Sequence, residues 1–460
     1  MTRSIAVVGG GIAGLTAAFD LHRQGHEVHL LEAADRFGGK VHTAPFAGVD
    51  LDSGPDSVLA RVPWALELFD ELGLDDEVVP QPPGSAYLYS RGELRRIPEG
   101  TVLGIPTDLD RLAQSGVVSP DAVARAAEDL TMADDRPDGD ESVGSLIRRR
   151  LGDEILERLV DPLLGGINAG DTDRLSLATG APQIAAAARG PHASLIEALR
   201  AQRANAPAPS DAPVFHTLRG GLGRLVDALV DALDGADLRT GTPIGSIERD
   251  GDRWRVSAQG GTLGSEPFEV DGVVVATPAF AAADLLVELA PNAADGLARI
   301  DYSSVALVAM AFPDDAAGRP LDGTGFLVPR AEGLLLTACS WASTKWPHLH
   351  RPGQFLVRAS AGRFGDERAI QMDDDALVEA ILADLATTMD LHGDPTEVRV
   401  TRWPRSFPQY TPGHLERVAD IEAALAEAAP GIALAGAAYR GVGIPACINS
   451  GHQAARALAG

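Results

Sequence analysis

Glu32, Arg36 and Lys40 stand four residues apart in "EAADRFGGKVHT" (32–43), with Gly38 and Gly39 between the two cations. An acid followed by two cations, with side-chain-free backbone between them, suits an elongated ligand carrying both hydroxyls and phosphates. The preceding residues agree. Gly9, Gly11 and Gly14 form G-x-G-x-x-G where "SIAVVG" reads as a buried strand and "AGLTAAFDLHRQG" as a helix ending at Gly25. Such glycines give a tight turn, close backbone approach to a pyrophosphate and close helix–strand packing, and the helix N-terminus faces the phosphates. Glu32 ends the next strand, "HEVHLLE", where a carboxylate accepts hydrogen bonds from a ribose. The pattern predicts dinucleotide binding by Gly9, Gly10, Gly11, Ile12, Ala13, Gly14, Glu32 and Ala33, with Arg36, Gly39 and Lys40 along the pyrophosphate.

A second strand, glycine loop and helix lies in the tail "GIALAGAAYRGVGIPACINSGHQAARALAG". Between the ends, 105–200 reads as mostly helical, and "QRANAPAPSDAP" (202–213) as a linker or loop. "GGLGRLVDALVDAL" is a predicted helix. "DLRTGTPIGSIERDGDRWRVSAQGG" reads as paired strands turning at Asp250–Gly251, and "GVVVATPA" as a buried strand. Residues 300–404 alternate strands and loops around one helix, "DDDALVEAILADLATTMD". Nucleotide-type units at both ends imply one Rossmann-like α/β domain assembled from separated segments, with α+β material inserted. The expected division is 1–82, 212–297 and 405–460 for the dinucleotide domain, 83–92 and 298–404 for a sheet-based substrate domain, and 93–211 for a helical domain.

The 460 residues carry a net charge of −26, which repels nucleic acid and anionic lipid surfaces. An anionic substrate therefore needs a local basic pocket. No apolar run is long enough to span a bilayer, no basic leader precedes the first strand, and two cysteines fit a reducing compartment; a soluble, cytoplasmic protein without stable membrane insertion is expected. No Ser-His-Asp set, metal cluster or paired carboxylates stand in a convincing arrangement.

The stretch E-x-x-x-R-x-G-G-K resembles a pattern of FAD enzymes in the flavin-containing amine oxidase superfamily. "DSGPDS" (52–57) resembles the Gly-Pro loop beside the isoalloxazine, which assigns Gly54, Pro55, Asp56 and Ser57 to the cofactor. Ile244 in "TGTPIGSI" matches the position whose backbone meets adenine. Val442, Gly443 and Ile444 match the second FAD motif, where a helix N-terminus stabilises negative charge on a reduced flavin. The middle of the chain narrows the resemblance. "ESVGSLIRRRLGDEILERLVDPLLGGINAGDTDRLSL" (141–177), "FHTLRGGLGRLVDAL", "GTGFLVPR", "LTACSWASTKWPH" and "RWPRSFPQYTPGH" are similar to protoporphyrinogen and coproporphyrinogen oxidases, most of all the bacterial coproporphyrinogen III oxidases.

The resemblance implies a p-hydroxybenzoate-hydroxylase-like domain with non-covalent FAD, and three two-electron oxidations of a porphyrinogen in haem biosynthesis. Dioxygen takes the electrons and hydrogen peroxide leaves. It implies that the backbone of Gly166 faces the substrate and that Trp403 lies near the flavin. The helical domain matches the membrane-binding domain of membrane-attached relatives. Two departures stand out: Asn168 replaces a usual aromatic, and Ala86 stands where membrane-bound members carry an arginine for a propionate. Asn168, Arg95, Arg96, Lys345 and His348 are the candidate substrate contacts. Cys447 reads as a core thiol rather than a flavin attachment. The reactive product makes a transient encounter with a coproporphyrin ferrochelatase an expectation. Protoporphyrinogen IX oxidation is the alternative reading. An amine oxidase is disfavoured because that group uses a lysine near the flavin, and this chain has only Lys40 and Lys345. A carrier without catalysis would not need flavin.

Overall fold

The computed structural model describes residues 2–205, 212–259 and 266–459. Its central sheet is fully parallel, in the spatial order Asp237–Arg239, Glu27–Leu31, Ser4–Val8, Gly272–Val275 and Ile432–Leu434. Alternation along the first strand explains its continuous apolar run. Ile5 and Val7 enter one core while Ala6 and Val8 enter another, so the sheet is covered on both faces. One cover is the pair of helices Ile12–Arg23 and Ile444–Ala459. They approach so closely that a Cβ on Gly451 would overlap the carbonyl of Ala13. The first and last segments of the chain therefore share one core. The other face packs against an antiparallel sheet, Ile244–Asp250, Arg253–Ala258 and Phe268–Val270. Its first hairpin turns through Gly251 and Asp252, one residue later than expected, because Asp250 still pairs with Arg253 and Gly251 takes φ +62°.

A seven-stranded sheet runs Glu397–Pro408, Tyr302–Pro313, Gln354–Ala361, Leu336–Trp341, Gly323–Leu327, Ser85–Ser90 and Glu93–Arg96. The expected boundaries at 92 and 404 fall inside this sheet. Residues 105–204 form a helical layer with its own apolar core. Helix Leu195–Ala204 takes the first residues of the expected linker, of which 206–211 lie outside the described residues. Within this layer Leu156–Gly165 winds as a π-helix containing Pro162, a wide local geometry that commonly marks functional positions. Among the described residues, no helix is long and apolar enough to cross a membrane.

Candidate functional site

The glycine turn is built by close approach. Gly9 has φ +110°, and a Cβ there would lie 2.7 Å from the carbonyl oxygen of Ala276; a Cβ on Gly14 would overlap the carbonyl of Gly9. Gly11 differs: its Cβ would meet nothing within 4 Å, and as N-cap of Ile12–Arg23 it offers no side-chain partner to the first helical N–H groups. Open space lies where the helix end needs an anion. Glu32 Oε2 accepts from the Gly10 N–H at 2.6 Å and Oε1 from that of Ala34 at 2.8 Å. The acid thus braces the turn and keeps lone pairs for a further donor. Thr242 N–H donates to the carbonyl of Glu32 at 2.8 Å, which carries Ile244 to the same end of the cleft.

The loop after Glu32 folds back on this turn. Gly38 pairs with Gly11 as a parallel bridge, and the Gly38 N–H donates to the Gly10 carbonyl at 2.8 Å. Arg36 does not reach freely for a ligand: its guanidinium donates to the carbonyls of Phe37 (3.1 Å) and Gly39 (2.7 Å), clamping its own loop. Lys40 makes no hydrogen bond or ion pair among the described residues, and burial lowers its pKa from the ordinary ammonium value. The residue is nevertheless exposed to solvent, so it stands as a cation free to take a ligand. Cys447, on the last helix, is close enough to interact electrostatically with it; burial pushes that thiol up to about 11.

Asp56 anchors the Gly-Pro loop. Its carboxylate pairs with Lys345 Nζ at 2.9 Å and Arg358 Nη1 at 2.8 Å, and accepts from Trp346 Nε1 at 3.3 Å. Burial alone would raise this carboxyl, but the two cations outweigh it and hold it below the usual carboxylate range. Arg358 also donates to the carbonyl of Gly54, and Trp403 Nε1 donates to that of Ser53 at 2.8 Å. Asp52, four residues before Asp56, is pushed up to about 6 by burial. A Cβ on Gly54 would overlap the carbonyl of Lys40, so the loop rests directly on the 38–40 segment. Val442 packs on the helical core, which brings the N-terminus of Ile444–Ala459 to the same place.

The glycine turn thus meets the 38–40 segment, that segment carries Gly54, Trp403 is tied to Ser53, and Cys447 of the last helix lies near Lys40, so these parts of the chain stand together. A helix N-terminus whose glycine cap offers no side-chain acceptor, with a lysine that has no partner among the described residues, suits a pyrophosphate, and the pinned 53–56 loop suits a flat ring beyond it.

Not every expected contact arrives there. Lys345 is bound to Asp56. Asn168 is buried: its Nδ2 donates to the Leu164 carbonyl at 2.8 Å, and its own carbonyl accepts from Gln409 at 3.1 Å, so it holds the loop instead of facing a ligand. Arg95 pairs with Glu93, and Arg96 with Asp322, on the edge strand farthest from Trp403. His348 lies in a separate cleft with Arg219 and Arg351. Gly166, whose backbone the resemblance turns toward a substrate, is exposed. Its neighbour Ile167, 57% exposed, was not singled out from sequence and presents an apolar side chain to solvent. Arg358 was missed as well; its signal is a single charge inside the otherwise apolar strand "QFLVRASA".

The profile of the flavin containing amine oxidoreductase family matches residues 12–459. The chain is 36% identical over 465 residues to the coproporphyrinogen III oxidase of Bacillus subtilis, covering 98% of this chain and 97% of that protein. It is 30% identical over 489 residues to the protoporphyrinogen oxidase of Bos taurus, covering 100% and 99%. A crystal structure from Exiguobacterium sp. 255-15 superposes with a TM-score of 0.88 at 32% identity, covering 100% of this chain and 99% of the other.

Proposed function

The chain belongs to the flavin containing amine oxidoreductase family, and from that premise we propose that it oxidises coproporphyrinogen III to coproporphyrin III with dioxygen, in haem biosynthesis. The single observation that carries the reading is full-length similarity to coproporphyrinogen III oxidases combined with the cleft just described. The lower identity to the bovine protoporphyrinogen oxidase favours the tetracarboxylate substrate over the alternative.

FAD held by these residues would supply a two-electron acceptor for the porphyrinogen, with dioxygen as the final oxidant and hydrogen peroxide as the by-product. The chain's own residues do the positioning. Gly9, Gly11 and Gly14 admit the pyrophosphate to the N-terminus of Ile12–Arg23, and Lys40 neutralises it. Glu32 accepts from the ribose, the backbone at Ile244 meets the adenine, and Arg36 keeps the 37–39 loop in shape. Residues 53–57, fixed by Asp56, Arg358 and Trp403, flank the ring. The N-terminus of Ile444–Ala459 faces the edge where negative charge develops on reduction. Gly166 and Ile167 form an apolar wall against which a flat macrocycle lies, and the helical layer excludes water from it. Each of three turns removes two hydrogens from the macrocycle and reduces one dioxygen to peroxide. The chain works in the cytoplasm and passes its product to a ferrochelatase in a transient encounter. The test is kcat/KM on coproporphyrinogen III and protoporphyrinogen IX, both prepared anaerobically. The tetracarboxylate is expected to be preferred by at least about tenfold; a clear preference for protoporphyrinogen IX overturns the assignment.

A further inference from the structure

A substrate with four carboxylates must find cations in a protein of charge −26, and the candidates read from sequence are tied up or remote. Lys345 serves Asp56, and Arg96 serves Asp322. Arg363 differs from these. Arg363, just past the strand Gln354–Ala361, makes no side-chain hydrogen bond and no ion pair among the described residues, and its Nε is wholly shielded from solvent without an acceptor. A shielded guanidinium N–H without an acceptor costs free energy and leaves a donor available to an anion. Burial, followed by the neighbouring Arg330, lowers its pKa to about 10 against the opposing pull of Asp161 and Asp366.

Position links this group to the substrate wall. The Phe364 N–H donates to the carbonyl of Ala169 at 2.8 Å, and Arg330 Nη2 donates to that of Gly170 at 2.6 Å. Both bonds hold the loop that follows Gly166 and Ile167. Ala169 is kept in the left-handed region at φ +43°, so the loop's shape depends on these attachments. Arg174 covers the Phe364 ring at 4.5 Å and spends its charge on Asp301. Arg330 is partly neutralised by Asp161 at 3.4 Å, and Arg368 fully by Asp366 at 2.7 Å. Arg363 and Arg330 open onto a cleft of about 480 Å³ lined also by Leu334, Arg368, Asp366 and Glu367, with Asp366 paired to Arg368, and it has room for a flexible carboxylate arm.

We propose that Arg363, with Arg330 beside it, binds a propionate of the porphyrinogen at the outer end of the Gly166–Gly170 loop and so sets the preference for the tetracarboxylate ring. The inference rests on the porphyrinogen reading. Arg363 is a specificity residue: it takes no part in the electron transfer, and it acts where a guanidinium fork matches a carboxylate.

The experiment uses FAD-loaded wild type, Arg363→Gln and Arg363→Lys. It measures steady-state rates on both porphyrinogens and equilibrium binding of coproporphyrin III by fluorescence. Arg363→Gln is expected to raise KM and the Kd for coproporphyrin III by about tenfold or more, with kcat within about twofold, as for loss of one charge-assisted hydrogen bond. Arg363→Lys falls between, and the preference for coproporphyrinogen III over protoporphyrinogen IX narrows. Thermal stability and flavin content stay at wild-type values or rise, since no protein partner is lost; a drop in stability with unchanged KM marks a structural role and overturns the proposal. An active wild type whose Kd and KM are unaffected by Arg363→Gln also overturns it. A wild type that binds coproporphyrin III through Arg363 yet oxidises neither porphyrinogen keeps the carboxylate site and overturns the functional reading instead. A wild type that does neither overturns both.

Discussion

Replacing Asp56 by Asn removes one negative charge from between two cations while keeping the shape of the side chain. Lys345, Arg358 and Asp56 are 16%, 9% and 14% exposed in their side chains, so solvent does little to screen the Lys345 and Arg358 charges left behind. Breaking a buried pair from one side costs about 3–5 kcal/mol, and here one carboxylate serves two partners. The same change loosens Arg358, which holds the Gly54 carbonyl, so the 53–56 loop loses its support. Urea unfolding of Asp56→Asn should show a loss of about 3–5 kcal/mol, together with faster FAD dissociation on dilution. The double variant Asp56→Asn/Lys345→Met leaves a single cation and should recover about 2 kcal/mol of this, a coupling that a double-mutant cycle isolates. Stability within about 1 kcal/mol of wild type, with no coupling in the cycle, would show that the charges are not interdependent.

Asp52 carries the opposite pH signature to its neighbour Asp56. Its carboxyl is raised from 3.8 to about 6, so the stabilisation of its neutral form is present below 3.8 and is lost as pH rises through about 6; that rise corresponds to roughly 3 kcal/mol. Asp52→Asn should therefore flatten the decline in unfolding free energy between about pH 4 and pH 7, and an unchanged decline would contradict the burial argument. Asp56, held below the ordinary range, instead stabilises at neutral pH and loses that contribution as pH falls into the acid range. The glycines separate binding from folding. Gly11→Ala should weaken FAD affinity at least about tenfold while leaving the FAD-free protein folded, whereas Gly14→Ala should damage both, as circular dichroism and flavin titration will read. Cys447→Ala should release its flavin on acid precipitation just as wild type does; flavin retained by the wild-type polypeptide alone would establish a covalent bond.

Local chemistry made the dinucleotide cleft readable in the sequence. Gly9, Gly11, Gly14 and Glu32 act within one strand–helix–strand unit, where spacing alone brings them together. The last helix was readable for the same reason. What spacing does not encode is which charges meet across the chain. Lys345 looks free in "WASTKWPH", yet its partner Asp56 lies 289 residues away. Arg95 and Arg96 read as a free pair of cations in "ELRRIP", but the seven-stranded sheet carries them to its far edge, where each has a carboxylate partner. Asn168 reads as a wall residue until the π-helix before it turns the amide back toward Leu164. Arg363 is the converse: nothing in "AGRFGDE" shows that this arginine, unlike Arg368, finds no carboxylate.

One anaerobic mixing experiment reaches the heart of the matter. Protein loaded with FAD and mixed with coproporphyrinogen III in the absence of oxygen should bleach its flavin absorbance while a porphyrin Soret band grows, and admitted oxygen should restore the yellow colour with release of peroxide. A protein that takes up no FAD, or whose flavin stays oxidised in excess porphyrinogen, contradicts the account.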